Sequence, residues 1–190
     1  MSDSLMKKFE QIIDLGKKID SNFWDGFTPV SELIIEKIEC EINRKLPDDF
    51  KYFYSHIGYG YFPDLVGGDI QSPEEIINDC HAPYYFVTGS MTPGEEWASN
   101  EAQRQFYITY GKENPNLKMF SKESMYLDDV FLLDLVQIGS DGSCCYHQLN
   151  VGERSRFKYC LLTDSSEIEN KAISFCEGLA NYLKSILDEI

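Results

Sequence analysis

The sequence has no apolar run of about 18 residues, so it predicts no membrane-spanning helix. Its first residues interleave acids with lysines and lack the apolar core of a secretory signal. We therefore expect a cytoplasmic protein in a reducing compartment. In that compartment its cysteines should be free thiols rather than disulfides. The cysteines are Cys40, Cys80, Cys144, Cys145, Cys160 and Cys176.

Histidine is scarce, and no two cysteines have a Cys-x-x-Cys spacing. The densest group of possible zinc ligands is Cys144, Cys145 and His147, but strand alternation would turn Cys144 away from the other two. A further ligand, such as Cys80 or His81, would have to come from a distant part of the sequence. We therefore expect no metal site and no cofactor. A Cys–His nucleophile pair is formally possible, but no spacing singles one out, so we expect a protein that is not an enzyme.

Positive charge is also scarce, since 17 Lys and Arg face 32 Asp and Glu, a formal net charge of −15. This balance disfavours direct binding to nucleic acid and to anionic membranes, whereas it permits a basic partner. Between Lys51 and Arg104 there is no Lys or Arg at all. We call this stretch the acidic window. Its acids are Asp64, Asp69, Glu74, Glu75, Asp79, Glu95, Glu96 and Glu101.

Two interpretations of the acidic window remain open. Its acids either serve general solubility, scattered over several faces, or contribute to one negative face that docks a basic partner. The second interpretation predicts that all of them except Glu101 lie on that face. Tyr59, Tyr61 and Trp97 would then be aromatic anchors within the docking surface.

Apolar periodicity predicts helices in the N-terminal third of the chain. The expected inward faces are Leu5, Phe9, Ile12, Ile13 and Ile19, then Ile34, Ile38 and Ile42, then Phe50, Phe53, Tyr54 and Ile57. Gly58 is well placed to cap the third helix. Capping boxes at Ser72–Glu75 and Ser166–Glu169 predict the starts of a short helix and of a long final one. The inward face of the final helix would carry Ile168, Ile173, Cys176, Leu179, Leu183 and Ile186.

Strand-forming sequence dominates later in the chain. Val130–Ile138 predicts a central strand, and Cys144–Asn150 and Phe157–Leu162 predict its neighbours in a meander. This order of elements predicts an α+β fold, with helices packed on one side of a largely antiparallel sheet and a long C-terminal helix. We expect residues 1–190 to form one domain with an elaboration at about 80–122. One core should join Phe50, Phe53 and Ile57 with Ile34, Ile38, Leu133, Leu135, Leu179 and Leu183.

The segment Leu46–Gly60 resembles the signature of the SUKH superfamily. In that family an Ile-rich helix containing a glutamate leads into Leu-Pro, two polar residues, an aromatic-rich helix and a glycine. Here the leading helix spans Ile34–Ile42 and contains Glu39. The segment Ile138–Gly142, followed by a strand containing a tyrosine, is similar to the Gly-Asp-Gly turn of the same family.

The resemblance implies a protein-binding module and transfers no catalytic residue. The SUKH family includes bacterial immunity proteins, which neutralise secreted polymorphic toxins that are frequently nucleases. It also includes yeast regulators of cell-wall synthesis. Our first hypothesis is therefore an immunity protein whose partner is a basic toxin domain. The alternative is a cytoplasmic scaffold or regulator with an endogenous protein partner, as in the fungal branch.

Overall fold

A computed structural model describes residues 3–79, 126–127, 130–131, 134–152, 156–163 and 167–190. Its helices are α1 (Asp3–Ile19), α2 (Glu32–Glu41), α3 (Asp48–His56), α4 (Pro73–Asp79) and α5 (Phe175–Glu189). Its strands are β1 (Gly60–Tyr61), β2 (Asp69–Ile70), β3 (Tyr126–Leu127), β4 (Val130–Phe131), β5 (Leu135–Ser140), β6 (Cys145–Asn150), β7 (Tyr159–Thr163) and β8 (Ile168–Ala172).

Six of these strands form one sheet in the order β1-β2-β5-β6-β7-β8, and every neighbouring pair is antiparallel. Strands β5, β6 and β7 are the meander that the late β-type sequence predicts, and β8 continues it with residues that the sequence predicts to belong to the final helix. The short β1–β2 hairpin extends the sheet beyond β5, while β3 pairs with β4 separately. The predicted α+β class, with a mainly antiparallel sheet and a C-terminal helix, is therefore confirmed.

The helices pack against one face of the sheet through a shared aromatic core. Phe175, at the start of α5, makes edge-to-face contacts with Phe50 and Phe53 of α3 at centroid distances of 5.1 Å. It also lies 6.0 Å from the ring of Tyr159 on β7. All four side chains are fully buried, so α3, α5 and the meander share one apolar interior.

Glu39, the glutamate of the leading helix, joins α2 to the turn before α3. One of its oxygens accepts a hydrogen bond from the backbone N–H of Leu46 at 2.9 Å, and the other pairs with Lys45 at 2.6 Å. Burial alone would raise the pKa of Glu39, but the Lys45 and Leu46 hydrogen bonds and the charge of Lys51 lower it. The buried carboxylate is therefore ionised and satisfied where the chain turns.

Asp49, in the Leu-Pro-Asp-Asp segment, joins α3 to the C-terminal helix. Its Oδ2 accepts a hydrogen bond from the backbone N–H of Cys176 at 2.9 Å, and its Oδ1 accepts one from Phe50 at 3.1 Å. The first backbone N–H groups of a helix have no partner within the helix. At the start of α5, Asp49 of α3 is the acceptor for the N–H of Cys176. The Oγ of Ser174 is the acceptor for the N–H of Glu177, at 3.3 Å.

The C-terminal helix begins later than the sequence predicts. The Ser166–Glu169 box does not start it, because Ile168 lies in β8 and pairs with Leu162 of β7. The helix starts at Phe175, and Ser174 caps it. Residues 168–172 alternate between more and less exposed positions, as expected of an edge strand, so pairing with β7 overrides the capping pattern.

The predicted core is right for most of its members and wrong for two, Ile34 and Leu135. Ile34 is 41% exposed, and its neighbour Ile35 is buried instead, because either isoleucine has helical spacing to Ile38. Leu135 is buried on the opposite face of the sheet, where it lies beside Asn150, and Ile57 is only half-buried. Phe50, Phe53, Ile38, Leu179 and Leu183 are buried together as predicted.

The predicted strand Val130–Ile138 is not continuous. Strand β4 ends at Phe131 and pairs with β3, whereas β5 begins at Leu135 and belongs to the main sheet. Apolar β-type sequence alone does not show that consecutive residues belong to different sheets. Leu133 lies outside the described residues.

Candidate protein-binding surface

Part of the acidic window lies within the described residues, on the β1–β2 hairpin and on α4. Asp64 is in the hairpin loop and Asp69 is on β2, while Glu74, Glu75 and Asp79 are on α4. The predicted site residues Glu95, Glu96 and Trp97 lie outside the described residues.

Glu75 lies close enough to Asp69 and Asp79 for its negative charge to raise the pKa of both carboxyl groups. Burial raises the pKa of Asp79, and the negative charges of Glu75 and Asp69 raise it further. Burial and the charge of Glu75 also raise the pKa of Asp69, although hydrogen bonds from Ser140 oppose the rise. None of the ion pairs among the described residues involves these three carboxylates. We call the three residues the acidic cluster.

Local hydrogen bonds hold the acidic cluster in place. The predicted capping box is present, since the backbone N–H and Oγ of Ser72 donate to Glu75 at 2.8 and 2.6 Å. Across the sheet, Asp69 Oδ1 accepts from the backbone N–H of Ser140 at 3.0 Å and from its hydroxyl at 2.8 Å. The acids on β2 and α4 are therefore attached to the sheet and to the first turn of a helix.

Gln71 links the acidic cluster to the interior. Its backbone N–H donates to Ile138 O, and its carbonyl accepts from the hydroxyl of Tyr54, both at 2.8 Å. Its side-chain Nε2 donates to Asp79 at 3.2 Å, but its Oε1 is buried and has no hydrogen-bond partner within the described part of the chain. Sequence reasoning overlooked Gln71, because an uncharged residue among acids gives no signal.

The β1–β2 hairpin presents apolar groups beside the acidic cluster. Tyr61 is 78% exposed and stands directly opposite Asp69 in the strand register. Side chains at such opposed positions lie on the same face of a sheet, with Cβ atoms about 5 Å apart. In the loop, Asp64 and Leu65 are both exposed. We call Tyr61, Asp64 and Leu65 the hairpin tip.

The remaining predicted residues differ in their availability. Tyr59 is half-buried, because its backbone pairs with Thr28 and its ring lies 6.4 Å from that of Tyr54. Glu74 is exposed on the first turn of α4. The structure thus brings Asp69, Glu75 and Asp79 together with Tyr61, while Tyr59 offers less of its ring to a partner.

The possible zinc ligands at the start of β6 and just before it do not converge. His147 is fully buried beneath α5, where its ring lies 4.8 Å from Tyr182, whereas Cys144 is exposed. Within the described ranges, no group of three Cys, His, Asp or Glu side chains is arranged to hold a metal ion. The described cysteines (Cys40, Cys144, Cys145, Cys160 and Cys176) are free thiols. Among the helices that the structure describes, none is long and apolar enough to cross a membrane.

The protein is an antiparallel meander backed by helices. Two buried acids on either side of the Leu-Pro turn connect the helices, since Glu39 of α2 binds Leu46 and Asp49 of α3 binds the start of α5. A family model described as the SMI1 / KNR4 family (SUKH-1) matches residues 29–182. The chain therefore belongs to the SMI1/KNR4 family of SUKH proteins, as the Leu-Pro segment predicts. A comparison with curated proteins finds no match.

Proposed function

We propose that this chain is a cytoplasmic immunity protein that neutralises a basic toxin domain by binding it directly. Membership of the SUKH family supports a protein-binding role. The observation that carries the proposal is the acidic cluster, in which the charge of Glu75 raises the pKa of both Asp69 and Asp79, and none of the three carboxylates forms an ion pair among the described residues.

The charge of the cluster suits a toxin that cleaves nucleic acid. Such a toxin binds phosphates through clustered Lys and Arg, so its substrate cleft is basic. An acidic surface complements that cleft and speeds the encounter with it. The formal net charge of −15 adds a long-range attraction between the whole chain and the basic toxin.

The buried thiols Cys160 and Cys176 and the buried His147 support a role without catalysis. Burial raises the pKa of Cys160 and of Cys176 to about 12, so both thiols stay protonated and are poor nucleophiles. Burial also lowers the pKa of His147 to about 4, and its ring has no access to a substrate. In the proposed function the protein inhibits by occupying its partner's surface.

The proposal expects the adjacent gene to encode the toxin domain, and co-expression with that domain tests this function. Cells that produce the toxin domain alone should stop growing, and cells that also produce this chain should grow. A catalytically inactive toxin domain serves as the control for expression burden. If the chain gives no protection and instead forms a defined complex with a host protein, the immunity role is wrong and the regulator alternative takes its place.

A further inference from the structure

We infer that the acidic cluster and the hairpin tip form a single docking surface for an arginine side chain of a basic protein partner. In this arrangement the guanidinium of the partner's arginine binds the carboxylates. Tyr61 and Leu65 contact apolar groups of the partner that surround this arginine. The inference deepens the proposed function, on which it rests for the identity of the partner.

The strand register places Tyr61 of the hairpin tip beside Asp69 of the acidic cluster. Tyr61 pairs with Asp69 and Asp69 pairs with Ser140, so the three side chains form a row across β1, β2 and β5. Tyr61 is 78% exposed and Leu65 is 61% exposed. An exposed aromatic beside carboxylates is suited to an arginine, because a guanidinium both stacks on aromatic rings and bonds carboxylates with a planar set of donors.

Among the described residues, no Lys or Arg forms an ion pair with the acidic cluster. The sequence supplies no Lys or Arg between Lys51 and Arg104, and the described ion pairs lie elsewhere on the protein. In the free protein the three carboxylates repel one another, since Glu75 raises the pKa of both Asp69 and Asp79. A cation between them removes this repulsion, so binding is favoured by charge complementarity.

Gln71 gives independent evidence for a missing hydrogen-bond donor. It is 8% exposed, and its Nε2 must face Asp79, because the reverse orientation would set an oxygen against a carboxylate. The unpaired atom is therefore Oε1, an acceptor whose isolation is unfavourable. A guanidinium bound to Asp79 would lie beside the Gln71 amide. Turning that amide would let Oε1 accept a hydrogen bond from the guanidinium, while Nε2 gives up its hydrogen bond to Asp79.

A titration with argininamide tests the surface without any protein partner. In ¹⁵N-labelled full-length protein, we expect argininamide to shift the resonances of Tyr61, Asp69 and the Gln71 side-chain amide. Asp79→Asn should weaken this binding by about tenfold, as expected for loss of a charged hydrogen bond. The matched control is Asp188→Asn, which removes an exposed charge at the end of α5 and should change nothing. Shifts spread evenly over acids throughout the chain, or equal affinities for both variants, would overturn the inference.

The second arm uses the toxin domain from the adjacent gene. Asp79→Asn should slow association, and Tyr61→Ala should speed dissociation by about tenfold, because a buried aromatic anchor acts mainly on the lifetime of a complex. If the toxin domain binds and neither variant differs from Asp188→Asn, the surface is wrong and the proposed function stands. If argininamide binds at the cluster but the toxin domain does not bind, the proposed function fails and the surface stands.

Discussion

Replacing Asp49 with alanine should destabilise the protein by about 2–4 kcal/mol, because two buried backbone donors lose their acceptor. These donors are the N–H groups of Phe50 and Cys176, at 3.1 and 2.9 Å from the carboxylate. The second bond joins α3 to the start of α5 across 127 residues of sequence, so its loss removes a direct link between the two helices. Urea unfolding, followed by circular dichroism, measures the change through the midpoint and slope.

The adjacent Asp48 is the matched control for this prediction. Its side chain is 91% exposed and pairs with Lys51 at 3.0 Å, so Asp48→Ala should cost less than about 1 kcal/mol. Asp49→Asn keeps an oxygen acceptor and should fall between the two alanine variants. Equal losses for Asp48→Ala and Asp49→Ala would refute the capping role, as would a loss below about 0.5 kcal/mol for the latter.

The remaining predictions concern the core, the buried histidine and the thiols. Phe53→Ala should cost about 3–5 kcal/mol in the same urea assay, since Phe53 is fully buried; a loss below about 1 kcal/mol would contradict its packing role. Burial lowers the pKa of His147 from 6.5 to about 4, so the unfolded chain binds a proton that the folded chain rejects. The free energy of unfolding should therefore fall by about 3 kcal/mol as the pH drops from 6.5 to about 4. If a His147→Gln variant lost the same stability over this pH range, His147 would not be the group responsible. Native mass spectrometry should count six free thiols, and a chelator that lowers the melting temperature would reveal a metal site instead.

The fold could be predicted where sequence patterns act locally. The aromatic face of α3, the Gly58 cap and the Ser72–Glu75 box depend on spacings of a few residues, and all three occur in the structure. Gly58 adopts a positive φ of 99°, and its N–H bonds Phe53 O, as expected for a glycine that ends a helix.

Prediction failed where distant residues decide the outcome. Ile168 looks helical by spacing, but its pairing with β7 makes it a strand residue. Whether Ile34 or Ile35 is buried depends on which elements α2 packs against, and the spacing of apolar residues does not show this. The hydrogen bond from Cys176 to Asp49 likewise forms only in the folded chain. The sequence therefore showed the Leu-Pro-Asp-Asp motif but not that its second aspartate caps the C-terminal helix.

For the candidate surface, the sequence indicated charge but not geometry. The absence of Lys and Arg marked the acidic window, and the structure brings Asp69, Glu75 and Asp79 into one neighbourhood. It could not indicate that Tyr61 stands beside Asp69, since that follows from a two-residue strand pairing. Nor could it indicate Gln71, whose unpaired oxygen matters only because the amide is buried.

Isothermal titration calorimetry of the purified chain with the toxin domain from the adjacent gene tests the central claim most directly. We predict a stoichiometric complex whose affinity falls as the salt concentration rises, because an acidic surface meets a basic one. The toxin domain should also lose its activity in the same proportion as it is bound. Absence of binding at low salt, with the toxin domain folded and active, would contradict the proposed function.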